Sequence, residues 1–111
     1  MGFGKTLAKW RLRGAINDIV IARDYIKNNR YDTADLVLLD TMNKLEKISK
    51  HYSSQPILNK IGQLRQLLKQ EKGRYSERTK SQMESIFESI MADSEKMLRK
   101  PPIGDLSPQY S

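Results

Sequence analysis

The sequence predicts an all-α protein: a small antiparallel bundle of three to four helices with an extended C-terminal tail. Three observations predict it. Apolar residues recur at spacings of three and four along most of the chain, the period of one helix face. Three of the four prolines, Pro101, Pro102 and Pro108, fall near the C-terminus, so the rest is nearly free of helix breakers. The 111 residues, 38% apolar and 30% charged, suffice for one domain with its own core and are too few for two. Residues 1–100 are read as that domain and 101–111 as the tail.

The first helix is predicted over residues 5–28. Its core face is Ala8, Leu12, Ala15, Ile16, Ile19, Ala22 and Ile26. A second apolar line, Phe3, Leu7, Trp10, Ile21 and Tyr25, runs along another side, so one stripe serves the core and the other needs a partner. Asn28-Asn29-Arg30-Tyr31 has turn chemistry, and Asp32 is placed as the cap of a second helix over residues 33–52. That helix buries Ala34, Val37, Leu38, Met42, Leu45, Ile48 and Tyr52, with Lys47, Lys50 and His51 near its end, where the helix dipole favours positive charge. Ser53-Ser54-Gln55-Pro56 opens a third helix over residues 55–72, carrying Ile57, Ile61, Leu64 and Leu68. Gly73 and a capping Ser76 predict a break before a fourth helix over residues 77–99, with Met83, Ile86, Phe87, Ile90, Met91, Met97 and Leu98 inside. The alternative is one long helix from Ile57 to Arg99, because the charged residues around Gly73 are adequate helix formers. Pro101-Pro102 end the helical part, and Ile103, Leu106 and Tyr110 are spaced as anchors for a partner's groove.

Ile21, Ala22, Tyr25, Ala34 and Leu38 fall where the helical hairpin of tetratricopeptide repeats places its packing residues, and the hairpin is similar to that of microtubule-interacting-and-transport domains. Asp18, Thr41 and Glu46 depart from the repeat pattern, which has Trp, Ala and Pro there. We read the likeness as generic tight hairpin packing; repeat membership would imply peptide binding.

With no Cys and a single His, the chain is read as lacking disulfides, thiolate zinc sites, Cys nucleophiles and His-based triads. No enzymatic activity, cofactor, metal or small-molecule substrate is expected. Glu84 and Glu88 lie one turn apart, but a di-metal carboxylate bundle also needs Glu-x-x-His pairs, so they are read as a solvated face. Gly4-Lys5-Thr6 matches the last letters of a phosphate-binding loop without the strand that must precede it. Met1-Gly2 with Thr6 fits the coarse N-myristoylation pattern, and Phe3 beside the acceptor glycine weakens the fit. No apolar run approaches the ~20 residues needed to span a bilayer. The expectation is a soluble, cytoplasmic protein, with peripheral membrane association as an alternative.

The net charge of +7 is unevenly spread. Residues 1–13 carry +4 with no acid, 14–55 are balanced, 56–82 carry +5, and 83–111 carry −2. In the second basic zone Arg65, Lys69 and Lys72 share a face of helix three, with Arg74, Arg78 and Lys80 following, a set suited to phosphate contacts. In the first, Lys5, Lys9 and Arg13 lie opposite Phe3, Leu7 and Trp10, an arrangement that resembles the amphipathic leaders of ESCRT-III proteins and implies contact with a membrane surface or a partner. The sequence thus predicts a non-enzymatic helical protein acting through protein–protein contact, with self-association into a homo-oligomer foremost. Nucleic-acid binding through the basic stripe is the alternative, and an anionic membrane surface the second alternative.

Overall fold

The protein is described here by a computed structural model covering residues 2–70 and 74–100, with side chains from Thr6 onward. Four helices form: α1 (Gly2–Lys27), α2 (Tyr31–Lys47), α3 (Gln55–Gln70) and α4 (Glu77–Arg99). No strand occurs among the described residues. α1 packs on α2 and α4, and α3 packs on the same two, so each helix has two neighbours. The short connections make successive helices antiparallel. The elongated body measures 56 × 20 × 18 Å.

The core follows the three-and-four spacing. Ala8, Leu12, Ala15, Ile19 and Ala22 of α1 meet Leu38 and Leu45 of α2, Ile57, Ile61, Leu64 and Leu68 of α3, and Met83, Phe87 and Ile90 of α4 in one buried cluster. Thr41 and Ser94 are also buried, each donating its hydroxyl to the carbonyl one turn back, Val37 at 2.8 Å and Ile90 at 2.7 Å. Local back-bonding of this kind satisfies a small hydroxyl at a core position. The hydroxyls of Tyr52 and Ser54 are buried with no hydrogen-bond partner among the described residues.

Among the described residues each of the four seams between neighbouring helices carries one ion pair. Asp18 meets Lys44 across α1–α2, Asp35 meets Arg65 across α2–α3, Lys60 meets Asp93 across α3–α4, and Arg23 meets Glu84 across α4–α1. All eight side chains are partly exposed, a setting in which an ion pair contributes at most about 1 kcal/mol.

Three helix ends differ from the sequence reading, the first being that of α1, which starts at Gly2 and not at Lys5. α2 starts at Tyr31, and Asp32 is a first-turn acid instead of the cap. The cause is how α1 stops. Asn29 takes a left-handed φ of 63°, its N–H donates to Ile26 O at 3.0 Å, and the Arg30 N–H donates to Tyr25 O at 2.8 Å. This Schellman closure reverses the chain at once, so Arg30 both ends one helix and precedes the next. α2 ends at Lys47, not near Tyr52. There the Ile48 and Ser49 N–H groups bond three residues back, to Leu45 and Glu46, and the tightened turn runs into Ser, His and Tyr, which are weaker helix formers. The predicted break before α4 is present: α3 is described to Gln70 and residues 74–76 are not helical, which excludes the alternative of a single helix from Ile57 to Arg99. Ser76 caps α4 as expected, its Oγ accepting the Thr79 N–H at 3.1 Å.

Candidate functional site

The antiparallel order brings the α1–α2 turn and the start of α4 to one end of the bundle. There Tyr31 packs on Tyr75, ring centroids 4.2 Å apart and planes at 48°. Both rings are tied down: Tyr31 donates its hydroxyl to Asn29 Oδ1 at 2.7 Å, and Tyr75 donates to Leu68 O at 2.5 Å. The Arg30 guanidinium lies 5.6 Å from the centre of the Tyr25 ring, within cation–π range. Around the tyrosine pair opens a cleft of about 910 Å³, lined by residues 29–33 on one side and by Arg74, Tyr75, Ser76 and Lys80 on the other. Among the described residues its lining carries the cations Arg30, Arg74 and Lys80 and the acid Asp32. Lys80 is loosely paired with Glu77 at 3.4 Å, whereas Arg30 and Arg74 form no ion pair among the described residues.

The structure divides the six cations of the basic stripe among several places. Arg65 Nε is bound to Asp35 Oδ1 at 2.8 Å in the α2–α3 seam. Lys69 is exposed on α3, and Lys72 lies outside the described residues. Arg78 lines a different groove of about 640 Å³ between α3 and α4, with Gln63, Gln66 and Leu67. Only Arg74 and Lys80 share a cleft, and they share it with Arg30. Sequence reasoning took Arg30 and Tyr31 as turn residues, because no local pattern connects them with Arg74 and Tyr75 in the other half of the chain.

A second surface lies along the outside of α1 and α2. Leu7 (38% exposed), Trp10 (68%), Ile21 (38%) and Leu36 (67%) stand free there, whereas the exposed Val20 and Leu39 lie on other flanks, Val20 one turn from Arg23 beside α4 and Leu39 one turn from Asp35 beside α3. Tyr25, the other described member of the predicted stripe, is half-buried beneath Arg30. Arg11 and Arg13 are exposed beside Trp10, and Lys9 is half-buried. The side chains of Phe3 and Lys5, and the tail residues Ile103, Leu106 and Tyr110, lie outside the described residues.

Glu84 does not stand free beside Glu88. Its hydrogen bond to Arg23 holds the carboxyl below its ordinary range and raises the Arg23 guanidinium, with burial opposing both shifts. Lys44 is raised likewise by its hydrogen bond to Asp18. Among the described residues no group of three or more His, Asp or Glu side chains is placed to hold a metal ion, and no helix is long and apolar enough to cross a membrane. No protein-family model, curated protein or solved structure matches this chain.

Proposed function

We propose that this chain is a non-enzymatic interaction module that pairs with a second copy of itself through the outer face of α1 and α2. One observation carries the reading. All six large apolar side chains left exposed among the described residues, Leu7, Trp10, Val20, Ile21, Leu36 and Leu39, belong to α1 and α2, and none to α3 or α4. Of these, Leu7, Trp10 and Ile21 share one side of α1 by their helical spacing, and an exposed apolar stripe of this kind is the usual mark of an interface. A second copy suits it by charge. Arg11 and Arg13 stand exposed beside Trp10 on α1, and Asp40 stands exposed one turn from Leu36 on α2, so a second copy set against this face can offer acid to base. Such a pairing sets apolar against apolar and basic against acidic, and it is self-complementary.

Sedimentation equilibrium tests this directly. The wild type is expected at twice its 12.9 kDa chain mass at micromolar concentration. Trp10→Lys combined with Leu36→Glu is expected at the mass of one chain with its helicity intact. A monomeric wild type at high micromolar concentration, or a dimer indifferent to both substitutions, would sink the proposal.

Trp10 supports a second reading. A Trp 68% exposed beside Arg11 and Arg13, with no acid before Asp18, has the chemistry of an anchor on an anionic lipid surface. This reading expects co-sedimentation with phosphatidylserine vesicles that is lost in Trp10→Ala and absent with neutral vesicles. Equal binding to neutral vesicles would refute it.

A further inference from the structure

The turn-end cleft combines features that the sequence keeps apart. Arg30 precedes α2, Arg74 stands in the coil before α4, and Lys80 lies in the second turn of α4, so the three cations come from separate points of the chain. Between them sits a pair of tyrosines whose hydroxyls are fixed to Asn29 and Leu68, which fixes the planes of their rings. The cleft is open to solvent, and its volume of about 910 Å³ lies at the upper end of the range usual for ligand sites. Arg30 and Arg74 have no acidic partner among the described residues, whereas all eight charges in the helix seams are paired.

We infer that this cleft binds single-stranded nucleic acid, the backbone phosphates meeting Arg30, Arg74 and Lys80 and an unpaired base stacking at the Tyr31–Tyr75 pair. Proteins that hold single strands without regard to sequence combine a cationic groove with aromatic faces on which bases stack. A duplex can answer the cations but not the tyrosines, because its bases are already stacked. Asp32 at the rim and Glu77 beside Lys80 weaken the local field without cancelling it, since Arg30 and Arg74 form no ion pair among the described residues. The inference is independent of self-association: the cleft lies at the end of the bundle, and the proposed pairing face runs along its side.

The test is fluorescence anisotropy of a labelled single strand of about 12 nucleotides, of mixed sequence, titrated with the full chain. Three phosphate contacts give a log–log salt slope of about −2, so affinity is expected to fall about 20-fold between roughly 50 and 200 mM salt. Arg30→Glu with Arg74→Glu is expected to weaken binding at least tenfold and to flatten that slope. Because Arg30 also stacks on Tyr25, Arg74→Glu with Lys80→Glu provides a second variant on exposed positions, with the same expectation. Arg11→Glu with Arg13→Glu makes the same change in net charge at the other end and is expected to cost less than threefold. Three results would overturn the inference: no binding at low salt, equal losses from the two ends, or duplex bound as tightly as the single strand. A free mononucleotide competing at the same concentration as the strand would overturn it too, because the site would then hold one nucleotide and not a chain.

Discussion

Replacing Tyr52 by Phe tests the packing of the end of the bundle opposite the cleft. Tyr52 is 4% exposed and belongs to the core cluster, and its hydroxyl has no hydrogen-bond partner among the described residues. A buried hydroxyl without a partner costs about 1–3 kcal/mol, whereas the ring itself contributes favourable burial. Tyr52→Phe keeps the ring and removes the unpaired oxygen, so stability at pH 7 is expected to rise by about 1 kcal/mol. In a domain of this size that corresponds to about 4–8 °C in Tm. Urea unfolding followed by far-UV circular dichroism measures it. The pH dependence gives an independent check. Burial pushes the Tyr52 phenol above its ordinary value, with the Arg13 charge opposing in part. A folded-state pKa above the unfolded one means that the contribution is whole below about pH 10 and is lost as pH climbs beyond it, by up to about 1.4 kcal/mol per pH unit. The stability gap between variant and wild type is therefore expected to widen above pH 10. A variant less stable than wild type by more than about 0.5 kcal/mol, or a gap constant from pH 7 to 11, would show that the hydroxyl has a partner and refute the reasoning.

Four further outcomes are expected. Phe87→Ala, at a site 1% exposed, is expected to lose about 3–5 kcal/mol in thermal or urea unfolding; a loss below 1 kcal/mol would mean that the four helices do not share one core. Ser76→Ala removes the α4 cap and is expected to cost about 1 kcal/mol, read as a lower urea midpoint. Gly14→Ala is expected to raise stability by about 0.5–1 kcal/mol in the same assay, because an added Cβ meets nothing within 4 Å and Gly weakens a helix interior. Glu84→Gln bears on the acid limb. Arg23 lowers the Glu84 carboxyl in the fold, so its stabilisation is present above the unfolded pKa near 4.3 and is lost as pH falls through the folded value. The variant is expected to show a flatter decline below about pH 4.5, by less than about 1 kcal/mol and shrinking with salt, since the pair is partly exposed.

The core was legible because burial in a helix leaves a periodic trace. Leu12, Ile19, Leu38, Leu45, Ile61, Leu64, Phe87 and Ile90 are where the three-and-four spacing puts them. Thr41 and Ser94 escaped that reading, because a hydroxyl bonded to the carbonyl one turn back can occupy a core position without an apolar signature. Helix ends were less legible than helix faces. Asp32 has good capping chemistry, but the left-handed Asn29 ends α1 so abruptly that α2 begins before Asp32 is reached. The basic stripe was visible as composition, yet composition does not tell a free cation from a committed one: Arg65 is bound to Asp35, a partner thirty positions away on another helix. The cleft was invisible for a related reason. Arg30 and Arg74 become neighbours only once the helices alternate in direction, and no window of sequence contains both.

The four seam ion pairs have a consequence that their small energies conceal. An up-and-down four-helix bundle can turn to the left or to the right while burying the same apolar residues, so hydrophobic packing barely distinguishes the two. Inverting the turn exchanges the two neighbours that each helix meets on its flanks. Lys44 would then face Lys60, and Asp18 would face Asp93, while Arg23 would face Asp35 and Arg65 would face Glu84, each couple within about one helical turn in height. Four attractions would become two attractions and two repulsions. At a few tenths of a kcal/mol per exposed pair the difference is about 1–2 kcal/mol, roughly a tenfold preference for one topology over its mirror. The charges therefore work as an address: they say little about whether the chain folds and a good deal about which way round it does so.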